Sequence, residues 1–125
     1  MADSFLSRTQ KAIVLLDADA PDFAEAALAA ESFFRGKGIS MLLKAVHKNH
    51  FIWSRRKVDL FISLLPSPSW HLSWVARSSK ASIKAGRFQL RHGNVFDLVV
   101  SDPAGKPFPQ TEVFKQITFI LSTIQ

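Results

Sequence analysis

Cysteine is absent from this chain of 125 residues. That excludes a disulfide framework, a thiolate metal site and a cysteine nucleophile, and it agrees with a reducing compartment. Long apolar runs are also missing: no segment approaches ~18 uninterrupted apolar residues, so a membrane span is not expected. Residues 1–10 include Asp3 and no apolar run of signal-peptide length, so secretion is not expected either and a cytoplasmic protein is the default. The third shortage is of acid. Residues 32–96 contain a single one, Asp59, while holding twelve of the sixteen Lys and Arg residues. The middle of the chain therefore carries a formal +11 and the two ends together −5, within a net +6. Solvated surfaces usually intersperse their charges, so this distribution points to a region that faces something anionic.

What is present fits one packed domain spanning 1–125, with 1–10 expected as a flexible lead. A chain of this length buries roughly two-thirds of the surface it exposes when unfolded, and 47% hydrophobic with 21% charged residues is an ordinary soluble composition.

Residues 11–17 (KAIVLLD) form an apolar run of strand length without polar alternation, the pattern of a strand buried on both faces. Residues 22–35 place Phe23, Ala27, Ala30 and Phe34 on one stripe, with Pro21 in the first turn and Gly36 past the end, which predicts an amphipathic helix. Strands are expected at 39–46 and 58–64, separated by a basic connection, 47–57, that lacks a helical period. Ser67 and Pro68 read as the N-cap and first position of a helix running to about Ser79. Short strands follow at 82–86 and 95–100, and Val113, Phe114, Ile117, Ile120, Leu121 and Ile124 form the stripe of a closing helix. The order β-α-β-β-α-β-β-α predicts a three-layer α/β sandwich around a mostly parallel sheet, Rossmann-like or flavodoxin-like. Two connections lack an obvious helix, which leaves open an incomplete version with a loop over one face or one antiparallel strand.

Ligands of such sheets sit beyond the carboxyl ends of the strands. The first of these tips, 17–21, has no glycine to let the backbone approach phosphate, and Asp19 and Asp22 would repel phosphate there, so a nucleotide bound at that turn is not expected. Asp17-Ala18-Asp19 after an apolar strand is similar to the opening motif of haloacid dehalogenase-like phosphatases. Ala20 and Pro21 depart from that motif, and Asp97 with Asp102 is a poor match to the later metal-binding acids. An acidic first turn also suits the helix dipole by itself. His47, His50, His71 and His92 do not have metal-ligand spacing, and neither a metal nor a cofactor is expected. Ser63, Ser67 and Ser69 show no nucleophile elbow.

The basic residues divide by strand direction. Lys48, Arg87, Arg91 and His92 belong near the carboxyl edge, whereas Arg55, Arg56 and Lys57 precede a strand and belong at the opposite edge. Lys48, Arg55, Arg56 and Lys57 are candidates for a patch that contacts nucleic acid through phosphate, with Trp53 or Phe88 available for stacking. In the helix 68–79, Leu72, Val75 and Ala76 suit the sheet, while Trp70 and Trp74 project from the other face with Arg77, a candidate homodimer or partner surface.

At 58–61 (VDLF), 79–88 (SKASIKAGRF) and 96–99 (FDLV) the chain resembles an uncharacterised family of small cytoplasmic proteins found mainly in Bacteroidetes, over most of its length. Members of that family often carry a basic stretch before the first strand, which this chain lacks, and the family implies no activity. The strand-helix-strand pattern ending in Gly86-Arg87-Phe88 is also similar to the N-terminal half of lipopolysaccharide heptosyltransferases. Those enzymes bind nucleotide sugar mainly through a second domain, for which 125 residues leave no room.

The sequence thus reads as a binding or interaction domain for an anionic or protein partner, with no demonstrable catalysis. One alternative is an enzyme or sensor for a nucleotide or sugar phosphate, with Ser67, Ser69, Arg87 and Arg91 at the strand tips. The other is a structural subunit that self-associates through Trp70 and Trp74.

Overall fold

The computed structural model describes residues 5–46, 58–65, 81–87, 96–101 and 108–124. Eight elements lie among them: α1 (Phe5–Arg8), β1 (Lys11–Asp17), α2 (Phe23–Gly36), β2 (Ser40–Val46), β3 (Leu60–Ser63), β4 (Ile83–Arg87), β5 (Leu98–Val100) and α3 (Gln110–Thr123). The five strands make one sheet in the order β2-β1-β3-β4-β5, with every neighbouring pair parallel. This is the flavodoxin-like order, in which the chain steps outward from β1 to β2 and then crosses back past β1 to β3. The antiparallel strand left open by the sequence does not occur among the described residues.

The alternation of side chains along each strand builds two cores from one apolar sequence. Ala12, Val14 and Leu16 of β1, with Leu60 and Ile62 of β3 and Ala85 of β4, face α2 and α3. Ile13, Leu15, Phe61 and Phe96 pack on the opposite face with Val58. A strand buried from both sides gains nothing from a polar position, and this is why β1 reads as an unbroken apolar run. Each fully buried Leu, Ile or Val stabilises the fold by about 1.5–3 kcal/mol relative to exposure.

Helix α2 lays Ala26, Ala30 and Phe34 on the sheet and meets α3 through edge-on rings, with Phe33 and Phe114 centred 5.9 Å apart. It ends in a Schellman turn. Gly38 takes φ +70°, and Ile39 N donates to Phe34 O at 3.0 Å, so the chain reverses directly into β2. The expected flexible lead is docked from Phe5 onward. Phe5 and Leu6 are buried, and Phe5 N donates to Ile124 O at 3.0 Å, which ties α1 to the end of α3.

Two aspartates align the starts of the strands. Asp59 Oδ2 accepts from Gln10 N at 2.9 Å and Lys11 N at 3.1 Å, fixing the start of β1 beside β3. Asp97 Oδ2 accepts from Lys84 N at 2.9 Å, fixing the start of β4 beside β5. The two Asp-Leu motifs of the sequence, Asp59-Leu60 and Asp97-Leu98, therefore perform the same task at two strand pairs.

Candidate functional site at the carboxyl edge of the sheet

Because all five strands run the same way, the sheet has one amino edge and one carboxyl edge. The carboxyl edge gathers the end of β1, the loop into α2, the end of β4 and the loop into α3. A cavity of about 420 Å³ opens there, walled by Ala20, Pro21, Phe108 and Pro109 and bordered by Asp17, Asp22, Arg87 and Gln110. That volume lies within the range of small-molecule sites.

Gln110 is the residue on which this corner turns. It is 2% exposed, its Oε1 accepts from Asp17 N at 2.7 Å, and its Nε2 donates to Asp17 O at 3.1 Å. The cause is the length of the strands. Odd-numbered residues of β1 direct their main-chain groups toward β3, as Asp59 N to Lys11 O and Leu64 N to Leu15 O demonstrate. The β1–β3 ladder stops at Leu15 and Ser63, two residues short of Asp17. The carboxamide of Gln110, with one acceptor and one donor like a peptide group, continues the ladder where β3 ends.

Asp22 joins the two helix starts. It precedes α2 without capping it by its own side chain. Its Oδ2 instead accepts from Thr111 N at 3.0 Å and Thr111 Oγ1 at 3.3 Å, and its Oδ1 from Gln110 Nε2 at 3.5 Å. One carboxylate thus sits at the positive ends of both helices. Asp17 Oδ1 accepts from Asp19 N at 3.0 Å, closing the turn that leads to α2. In this structure the Asp17-Ala18-Asp19 motif is a turn held by its first carboxylate.

Arg87 is 3% exposed at the end of β4. Its Nε donates to Leu64 O at 3.3 Å and its Nη2 to Phe108 O at 2.8 Å, so the guanidinium joins the end of β3 to the segment before α3. The carboxyl-edge position expected from strand direction is the one it occupies. Gly86 has a separate reason to be glycine. A Cβ there would lie 2.8 Å from the Phe96 ring, which seats directly on the glycine and stacks with Phe61 at 6.4 Å between centroids. Ser63 is buried and its Oγ accepts from Leu65 N at 3.4 Å, a turn contact.

The remaining sequence candidates lie outside the described residues: Ser67, Ser69 and Arg91 of the tip site, Lys48, Arg55, Arg56 and Lys57 of the basic patch, Trp70, Trp74 and Arg77 of the interface, and all four histidines. Among the described residues no His, Asp and Glu side chains converge as a metal site, and no helix is long and apolar enough to cross a membrane. The sequence does not single out Gln110 and Asp22 as partners. The signal for them is slight: a Gln at the first position of a helix, immediately after Pro109, where a surface residue would serve equally well.

Charge is sorted between the two edges. Arg8, Lys11, Arg35, Lys37 and Lys84 stand at the amino edge, because they end a helix or begin a strand. Of the acids near it, Asp59 and Asp97 accept hydrogen bonds from main-chain N–H groups, and Glu31 lies one turn before Arg35 on α2. Asp17, Asp19, Asp22, Glu25 and Glu112 stand at the carboxyl edge beside the buried Arg87.

No protein-family model, curated protein or solved structure matches the chain.

Proposed function

We propose that this chain is a binding domain that receives an anionic partner at the amino edge of its sheet. The observation that carries this reading is the sorting of charge: five cations surround strand starts whose two aspartates are engaged by the main chain, while Asp17, Asp19, Asp22, Glu25 and Glu112 stand at the far edge. The expectation from the sequence that Arg55, Arg56 and Lys57 form a basic patch with Lys48 concerns residues outside those described, and the reading rests on the five cations above. A polyanion meeting such an edge is held through phosphate or sulfate contacts and loses affinity as salt rises. At the carboxyl edge the polar groups of Asp17, Asp22, Gln110 and Arg87 serve the main chain, which supports a binding role over a catalytic one.

The test is titration of a single-stranded RNA and a DNA duplex at 50 and 200 mM salt. The double variant Lys11→Glu/Lys37→Glu should lower affinity and flatten the dependence of log K on log salt by about one unit for each phosphate no longer neutralised. Lys115→Glu, on an exposed position of α3 away from that edge, should leave the slope unchanged. Absence of binding by the wild type at 50 mM salt would overturn the proposal.

A second reading is favoured by the cavity at the strand tips. A volume of about 420 Å³ walled by Ala20, Pro21, Phe108 and Pro109 suits a small compound with an apolar body, and the carboxylates of Asp17 and Asp22 at its border favour a neutral or cationic polar group there over a phosphate. Raised melting temperature with such a compound, and none with a nucleotide or sugar phosphate, would select this reading over the first.

A further inference from the structure

The two edge strands of the sheet are unequal. Strand β5 has three residues, and an edge so short offers little to a passing strand. Strand β2 has seven, SMLLKAV, without proline, and pairs with β1 residue for residue along its whole length, so no bulge twists it away. Lys44 is its one charge.

The register fixes which main-chain groups of β2 point outward. Ser40 N donates to Gln10 O and Val46 O accepts from Ala18 N, so the even-numbered residues 40 to 46 face β1. Met41, Leu43 and Ala45 therefore direct their N–H and C=O groups away from the sheet. Among the described residues nothing pairs with that side of β2. Three outward residues spaced evenly about Leu43 form a self-complementary row. A two-fold axis at Leu43 pairs Leu43 with its own copy and Met41 with Ala45 in each direction, which satisfies all six outward groups in antiparallel hydrogen-bonded pairs.

The side chains agree with this register. Between the hydrogen-bonded pairs, Lys44 falls across from Leu42 of the second copy, on the same face of the sheet. Leu42 is 37% exposed, and the aliphatic stem of Lys44 would cover it while the ammonium reaches water. The two lysines are offset from each other instead of opposed. We propose that the outer edge of β2 is a homodimer interface in which two copies join antiparallel about Leu43, making one continuous ten-stranded sheet.

Sedimentation equilibrium of the full chain up to about 0.5 mM tests this, with far-UV circular dichroism and melting curves to check that each variant is folded. The wild type should show a monomer–dimer equilibrium. Ala45→Pro removes an outward N–H at an exposed position and leaves the β1 ladder intact, so it should abolish the dimer while the monomer stays folded. Leu42→Glu sets an acid across from Lys44 twice per dimer and should tighten association about 2- to 30-fold, whereas Leu42→Lys opposes like charges and should loosen it by a similar factor. That paired response would not arise at a different surface. A wild type that is monomeric throughout, a dimer that survives Ala45→Pro, or one that Trp70→Ala/Trp74→Ala dissolves while Ala45→Pro does not, would overturn the proposal. So would a β2 edge that captures an unrelated strand peptide but not its own copy.

Discussion

Replacing Gln110 by Met keeps the volume and flexibility of the side chain and removes only its carboxamide. What is lost is a pair of hydrogen bonds, 2.7 Å from Asp17 N and 3.1 Å to Asp17 O, at a side chain that is almost wholly buried. The net value of a hydrogen bond made from water is modest, about 0.5–1.5 kcal/mol, but a donor or acceptor left unpaired away from water costs about 1–3 kcal/mol. Asp17 is half-buried, so water can reach part of the freed peptide. Taking the lower half of that range for each group gives a destabilisation of about 2–4 kcal/mol. Against a total of about 5–15 kcal/mol for a domain, this is a large fraction. Urea unfolding followed by circular dichroism should show a lower midpoint with an unchanged slope, because the surface exposed on unfolding hardly alters. Gln110→Glu should cost at least as much. It retains an acceptor for Asp17 N but turns a carboxylate oxygen toward Asp17 O and toward Asp22 Oδ1, which lies 3.5 Å from the native amide nitrogen. A loss below about 1 kcal/mol for Gln110→Met would refute the argument that this amide continues the β1–β3 ladder.

Two further substitutions test how the carboxyl edge is built. Gly86→Ala drives a methyl to 2.8 Å from the Phe96 ring and should destabilise by about 1–3 kcal/mol, with Phe96→Leu recovering part of the loss in the double variant; a neutral Gly86→Ala in urea unfolding would show that the ring shifts freely. Arg87→Met strips the donors from Leu64 O and Phe108 O and should lower stability by about 2–4 kcal/mol in the same assay, so ligand binding by an Arg87 variant must be compared at equal folded fraction; unchanged stability would count against the bridging role.

The strands are legible in the sequence because burial on both faces forces an apolar run. Residues 12–16 of KAIVLLD include no polar position for the same reason that Ile13 and Leu15 fill one core while Ala12, Val14 and Leu16 fill the other. The helices are legible from their stripes, and the position of Arg87 from the direction of its strand. The strand order is not legible, since the strand segments 60–63 and 83–87 carry no mark of which neighbour they take. The tie residues are hidden for a related reason. Gln110 binds a partner 93 residues away and Arg87 reaches carbonyls 23 and 21 residues away, distances at which no local period operates. Phe5 and Leu6 fall within the expected lead because four residues cannot display a helical stripe, although both are buried against the rest of the fold.

An all-parallel sheet converts position in the chain into position in space by a simple rule. A residue that begins a strand or ends a crossover helix goes to the amino edge, and one that ends a strand or begins such a helix goes to the carboxyl edge. Under this rule the acids of 17–25 collect at one end, whatever the fold gains from them locally as turn and helix-start residues. Lys11, Arg35, Lys37 and Lys84 collect at the other. Asp59 and Asp97 look like exceptions, and their hydrogen bonds explain why they do not weaken the pattern: each carboxylate accepts from main-chain N–H groups at strand starts, which need an acceptor there in any case. The scarcity of acid between 32 and 96 and the separation of charge between the two edges are therefore connected through topology. Charge reversal at Lys11 and Lys37 probes the edge that this connection makes basic, and Ala45→Pro probes a row of main-chain groups on the sheet's flank to which the charge pattern is indifferent.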